Sequence, residues 1–167
     1  MADAPASDRS QPRPLDGVVA FREAARELAE QARRTLDILT LDLEAPLYDQ
    51  TPFLAAVKQL ALRGNLGRIR VLLLDNERVR QHGHRLLELA TRLPSRIEIR
   101  RPPPEHADHP ENFLVADRRG YLHRHRGNGY AGETHPDYRL RATRLARVFD
   151  EIWERSEQDS TLRRLHL

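Results

Sequence analysis

Two apolar segments, "TLDILTLDL" (35–43) and "RIRVLLLD" (68–75), flank a helical pattern, "YDQTPFLAAVKQLALRG" (48–64). Strand, helix, strand in that order is the crossover that joins parallel strands, and it places the chain among α/β folds. The second segment has a nearly continuous apolar end, as strands buried on both faces do. In the first, Leu39, Leu41 and Leu43 share one strand face, Leu36 and Ile38 add apolar bulk, and Asp37 and Asp42 mark the ends. The intervening helix is expected to use Thr51 as N-cap and Pro52 at its first position, with Gly64 at the exit. Its core face is Phe53 or Leu54, Val57, Leu60 and Ala61.

The flanking pattern continues the alternation. "GVVAFREAARELAEQARR" puts Phe21, Ala25, Leu28 and Ala32 on one helical stripe. "NERVRQHGHRLLELATRL" returns to helical period through Val79, Leu86, Leu87 and Ala90, and Pro94 stops it. "RIEIR" is a brief strand and "PPPEHADHP" a loop; "NFLVADRRGYLHRHR" is two strands joined at "DRRG". After a Gly-rich loop, a last helix from about Asp137 to Ser156 turns Leu145, Phe149, Ile152 and Trp153 to the core, and the tail "TLRRLHL" docks on the body. Residues 1–16, rich in Pro, Ala, Ser and Asp, are expected to form a disordered leader, and residues 17–167 one domain. The expected architecture is a mixed β-sheet flanked by helices on both faces.

Several chemistries drop out. The chain has no cysteine, which excludes disulfides, thiol catalysis and cysteine zinc sites. No apolar run approaches the roughly 20 residues of a membrane span, and the first residues lack a secretory pattern, so no membrane role and a cytoplasmic location are expected. Arginine supplies nearly all the basic charge: Lys58 is the sole lysine.

The order of elements resembles one half of the phospholipase D-like fold. "FLAAVKQLALRGNLGRIRVLLLD" is similar to the helix and strand before that family's catalytic strand, and "RVFDEIWERS" to its closing helix. The resemblance spans about Gly17 to Ser156. More narrowly, "GHRLLELATRLPSRIEIR", "FLVADRRGYLHR", "FDEIWERS" and "TLRRLHL" resemble an uncharacterised proteobacterial, phospholipase D-like family, some members of which are fused to acetyltransferase domains. The resemblance thus implies a bacterial source, an acetyltransferase association and a single half that pairs as a homodimer.

It also implies a signature, His-x-Lys-x4-Asp. The histidine attacks phosphorus, the lysine neutralises phosphate oxygens, the aspartate orients a histidine, and a second histidine from another copy protonates the leaving group. Anchored on Asp117, the lysine place is Asn112 and the nucleophile place is Pro110. Anchored on His109, the lysine place is Glu111 and the aspartate place is Ala116. A bulge near Pro110 restores His109 but no lysine; Arg124 is the stand-in cation. The catalytic candidates are therefore His109, Asn112, Asp117 and Arg124, in a signature that is degenerate.

Other constellations are weaker. His123 and His125 share a strand face, His82 and His84 sit near a helix start, and no Glu-x-x-His or His-Glu-x-x-His spacing occurs, so neither metal nor cofactor is expected. Asp42 and Asp75 follow two successive strands at their carboxyl ends, where open α/β sheets bind ligands. With His84 and Arg85 they form a candidate pocket; alternatively Asp75 caps a helix and Asp117 starts a turn. Arginines in "RIEIRRPPP", "DRRG" and "LHRHR", with Tyr121 and Tyr130 stacking, suit a phosphate-bearing ligand or nucleic acid, although 25 acidic residues face 28 basic ones. The reading is a degenerate, non-catalytic domain that binds phosphate or nucleic acid or serves as a protein-interaction module. The alternative is a phosphodiesterase or nuclease acting as a homodimer.

Overall fold

The computed structural model describes residues 10–106, 111–125 and 129–163. Among the described residues, eight strands form one mixed sheet. Its centre is β2 (Thr35–Thr40), parallel to β3 (Arg68–Leu73), which is parallel to β4 (Ile97–Arg101). On the other side β2 pairs antiparallel with β5 (Asn112–Ala116), followed by β6 (Gly120–Arg124), β7 (Ala131–His135) and β1 (Arg13–Asp16). The short β8 (Glu157–Gln158) closes the opposite edge. The spatial order is β1-β7-β6-β5-β2-β3-β4-β8.

The strands alternate strictly between two cores. Leu36, Ile38, Ile69, Val71, Leu114 and Ala116 face α1 (Val18–Gln31), α3 (Thr51–Ala61) and α5 (Arg85–Arg92). The short α2 (Ala45–Tyr48) and α4 (Glu77–His82) complete that layer through Leu47, Tyr48 and Val79. Leu39, Leu72, Phe113, Val115 and Tyr121 face α6 (Arg139–Glu154), which buries Leu145, Phe149, Ile152 and Trp153 as its spacing requires. Helices on both faces of a mixed α/β sheet is the expected architecture. A final turn, α7 (Ser160–Arg163), docks through Leu162, which is buried.

The structure corrects several local expectations. Residues 13–16, read as leader, are the edge strand β1, because β7 offers a free ladder and Leu15 a side chain to bury; residues 1–9 lie outside the described residues. The Gly-rich stretch before α6 contains β7, where Gly132 lets the chain pass His123: a Cβ there would lie 2.0 Å from its carbonyl oxygen. β2 stops at Thr40, so Leu41 is exposed and Leu43 is buried from a left-handed backbone (φ 55°). Thr51 is not the cap: Gln50 holds that position, and Thr51 Oγ1 accepts from Arg85. Tyr121 is fully buried and offers no surface for a base.

Asp37 does not end a strand. It is buried in mid-β2, where Arg70 Nε donates to Oδ1 at 2.8 Å and Nη2 to Oδ2 at 3.1 Å. Arg70 also reaches Asp150 of α6 at 2.8 Å and lies 4.9 Å from the Phe149 ring. Burial pushes the Asp37 carboxyl above its ordinary range despite those bonds.

Candidate functional site

The C-terminal end of β2, the start of β5 and the end of β6 meet at one mouth. There the chain turns through Leu41–Pro46, the turn held by Leu43 N–H donating to Thr40 Oγ1 at 3.1 Å. A cavity of about 550 Å³ opens beside it, lined by Asp42, Glu44, Arg78, His82, His84, Asn112, Arg124 and Tyr130 among others. Open α/β sheets bind ligands at this end of their strands.

Its charges are matched internally. Arg124 pairs with Glu44 through Nη1 and Oε1, and the two side chains are only 14% and 11% exposed. Arg124 Nε donates to the Gly129 carbonyl at 2.9 Å, and its guanidinium covers the Tyr130 ring at 4.4 Å. Burial first, and Glu44 second, push the Tyr130 hydroxyl up to about 12. Asp42 lies 3.6 Å from Arg78. Asn112 Oδ1 accepts the Leu41 N–H at 2.8 Å, so this side chain is holding the mouth's backbone.

His84 is buried as the N-cap of α5, its Nδ1 accepting from Leu86 N–H at 3.1 Å. That bond places the proton on Nε2. Burial lowers the imidazole pKa and favours this neutral form. The Leu43 backbone accepts from the His84 ring, and the Tyr130 hydroxyl shares the Glu44 carboxylate with Arg124. The polar groups of the cavity are thus engaged with one another, and the Arg124 charge is matched by Glu44 instead of standing open to a phosphate dianion. Among the described residues, no group of three or more His, Asp and Glu is arranged to hold a metal.

A model described as a domain of unknown function, DUF7931, matches residues 18–165. The chain belongs to that family. No curated protein matches it. Among solved structures it is similar to Nuc of Salmonella typhimurium, a phospholipase D family member, with TM-score 0.61 and 13% identity over 89% of this chain and 99% of the other. NucT from Helicobacter pylori gives TM-score 0.62 and 12% identity, with the same coverage. TrmBL2, an archaeal chromatin protein whose structure shows a novel mode of DNA binding, gives 0.65 and 14% over 95% of this chain; the match spans 56% of TrmBL2. The fold of this DUF7931 chain is thus phospholipase D-like. Among the described residues, no helix is long and apolar enough to cross a membrane.

Of the eight candidate residues, the mouth gathers Asp42, His84, Asn112 and Arg124. His109 and Pro110 lie outside the described residues. Asp117 sits at the opposite end of β5, where its carboxylate accepts N–H bonds from Arg33, Arg34 and Thr35 at 2.8, 2.8 and 2.9 Å. Asp75, one residue before the Asn76 cap of α4, accepts from Glu77 N–H at 2.9 Å, and Arg85 pairs with Asp49 at 2.7 Å, outside the cavity lining. Lys58 is exposed on α3 and does not line the mouth. Sequence reasoning missed Glu44, and it offered Tyr130 for stacking on bases where Arg124 covers the ring. The spacing of Glu44 from β2 resembles that of Asp42, but its pairing with Arg124 spans 80 residues and carries no local signal.

Proposed function

We propose that this chain is a phospholipase D-like domain without phosphodiester chemistry, and that it serves as a binding module for nucleic acid. The observation that carries the first half is the Arg124–Glu44 pair. Phosphoryl transfer needs preorganised positive charge at the reacting oxygens. Here the stand-in cation is neutralised by a carboxylate, and the lysine place is an asparagine engaged with backbone. The nucleic-acid half is supported by the exposed arginines of the β5–β6 turn and by likeness to a DNA-binding chromatin protein.

The test has two arms. Wild type, His109→Ala and Arg124→Ala are assayed on single-stranded DNA and bis(4-nitrophenyl) phosphate, and none should exceed the blank. A wild-type rate that collapses in His109→Ala would instead establish the hydrolase. In the second arm, inorganic phosphate should raise the melting temperature of Glu44→Gln, which frees the Arg124 charge, more than that of wild type. Phosphate stabilising both equally contradicts a neutralised mouth.

The small, single-half size supports pairing of two copies as part of this proposal. Light scattering at micromolar concentration should return about twice the monomer mass; a monomer's mass removes this element and leaves the rest standing.

A further inference from the structure

We infer that nucleic acid binds along a row of arginines at the end of the sheet opposite the mouth, which takes the sugar–phosphate backbone without reading bases. This rests on the nucleic-acid reading above and adds a location to it. β2, β3 and β4 are parallel, so their first residues share one sheet end. Backbone hydrogen bonds tie the arginines there into a continuous line. Ile69 N–H donates to the Arg96 carbonyl and Arg68 N–H to the Arg34 carbonyl, each at 2.8 Å. Arg33 and Arg34 then bond the Asp117 carboxylate through their own N–H groups. Arg118 and Arg119 follow in the adjoining turn.

The side chains of Arg33, Arg34, Arg68, Arg118 and Arg119 are exposed and that of Arg96 is half-buried. Six arginines meet few carboxylates. Asp117 is engaged with three backbone donors, Asp150 holds Arg118 at 3.0 Å, and Asp137 stands 3.7 Å from Arg119. Arg33, Arg34 and Arg68 have no ion-pair partner among the described residues. Complementing the negative ends of α1, α3 and α5 accounts for part of this charge. That effect fades within the last turn, though, and does not reach the hairpin arginines.

From β4 to β5 the row crosses three strand gaps of about 4.8 Å, roughly 14 Å in all. A nucleic-acid strand carries one charge per about 3.4 Å of axis, so a row of this length faces a run of consecutive phosphates. A linear array of forked donors, three of them without an ion-pair partner among the described residues, fits such a repeating anion. Exposed Leu62 and Leu66 lie in the loop leading to Arg68, which makes an anionic membrane the rival occupant.

The experiment is fluorescence anisotropy of the full chain with a labelled 20-nucleotide single strand and duplex of mixed sequence, at low and high salt. Wild type should bind at low salt with similar affinity for unrelated sequences. The logarithm of its duplex affinity should fall against that of salt with a slope of about −3 to −4. Arg34→Glu/Arg68→Glu should lower affinity at least about tenfold and flatten that slope by about 2. Arg80→Glu/Arg101→Glu reverses the same charge at the other sheet end and should bind as wild type does. Arg34→Ala/Arg68→Ala serves where the glutamate pair fails to fold; the row's ladder bonds are main-chain and survive it. No wild-type binding at low salt overturns the nucleic-acid reading as a whole. Binding that persists in the row variants, or falls equally in the control pair, overturns the location alone. Retention on phosphatidylglycerol vesicles without DNA binding assigns the row to a membrane surface and overturns both.

Discussion

Arg70→Met is expected to cost about 3–5 kcal/mol of folding stability, the loss typical of breaking one side of a buried ion pair. Methionine keeps the length and apolar bulk of the stem, so the loss reads charge and not a cavity. Asp37 is buried among apolar neighbours and its carboxyl is bound on both oxygens by that guanidinium. Its pKa already stands above the ordinary range because burial outweighs Arg70. Without Arg70 it is driven further up. A carboxyl whose folded pKa exceeds the unfolded value holds more protons when folded, so stability falls as pH rises through that interval. The deficit of Arg70→Met should therefore be larger at pH 8 than near pH 4–5, where Asp37 protonates in place. Urea denaturation at both pH values measures this. The double variant Arg70→Met/Asp37→Leu should recover most of the loss, since Asp150 retains Arg118. A double variant as unstable as the single one would mean that Arg70 acts through its stacking on Phe149 and Trp153 instead.

That network marks where legibility in the sequence stopped. The apolar periods of α1, α3 and α6 were plain, and their buried faces are those the spacing requires, because helical burial is local arithmetic on 3.6 residues per turn. Asp37 lies in an apolar strand and, by pattern alone, belongs at an end. It stays inside because Arg70 stands opposite it on β3 and Asp150 approaches from α6, partners 33 and 113 residues away. β1 was missed for a related reason. "RPLD" carries one apolar residue, and its strand character comes from the β7 edge it completes. The mouth was half legible. Asp42 and His84 follow from the rule that strand carboxyl ends bind ligands, whereas Glu44 becomes meaningful once Arg124 is seen beside it. The apolar pattern of "NFLVADRRGYLHRHR" located β5 and β6 correctly; spacing against the phospholipase D signature could not tell a residue at a catalytic position from one that holds the strand in place.

Asp117 is the sharpest instance, and its replacement by alanine should cost about 3 kcal/mol. Its carboxylate accepts three successive N–H groups, from Arg33, Arg34 and Thr35, where β2 begins. Bonds to an ionised acceptor contribute more than neutral ones, and unpairing such donors carries a desolvation penalty. The backbone adds to the loss. Asp117 and Arg118 both hold left-handed conformations, φ 55° and 54°, in the turn closed by Arg119 N–H on the Ala116 carbonyl at 3.0 Å. Aspartate and asparagine tolerate that region, and alanine pays roughly 1–2 kcal/mol there. Asp117→Asn keeps the backbone preference and one acceptor oxygen, and should lose about half as much. Denaturant midpoints at constant slope check the ranking, wild type above Asn above Ala. A catalytic or ligand-orienting role makes a different forecast: Asp117→Asn would then leave stability unchanged and alter what happens at the mouth. Because Asp117 follows β5 and Asn112 begins it, the strand's full length separates this carboxylate from the cavity. The aspartate that anchors the signature in sequence therefore pins β2 to the β5–β6 turn, and in doing so sets the arginines on either side of that joint in one line.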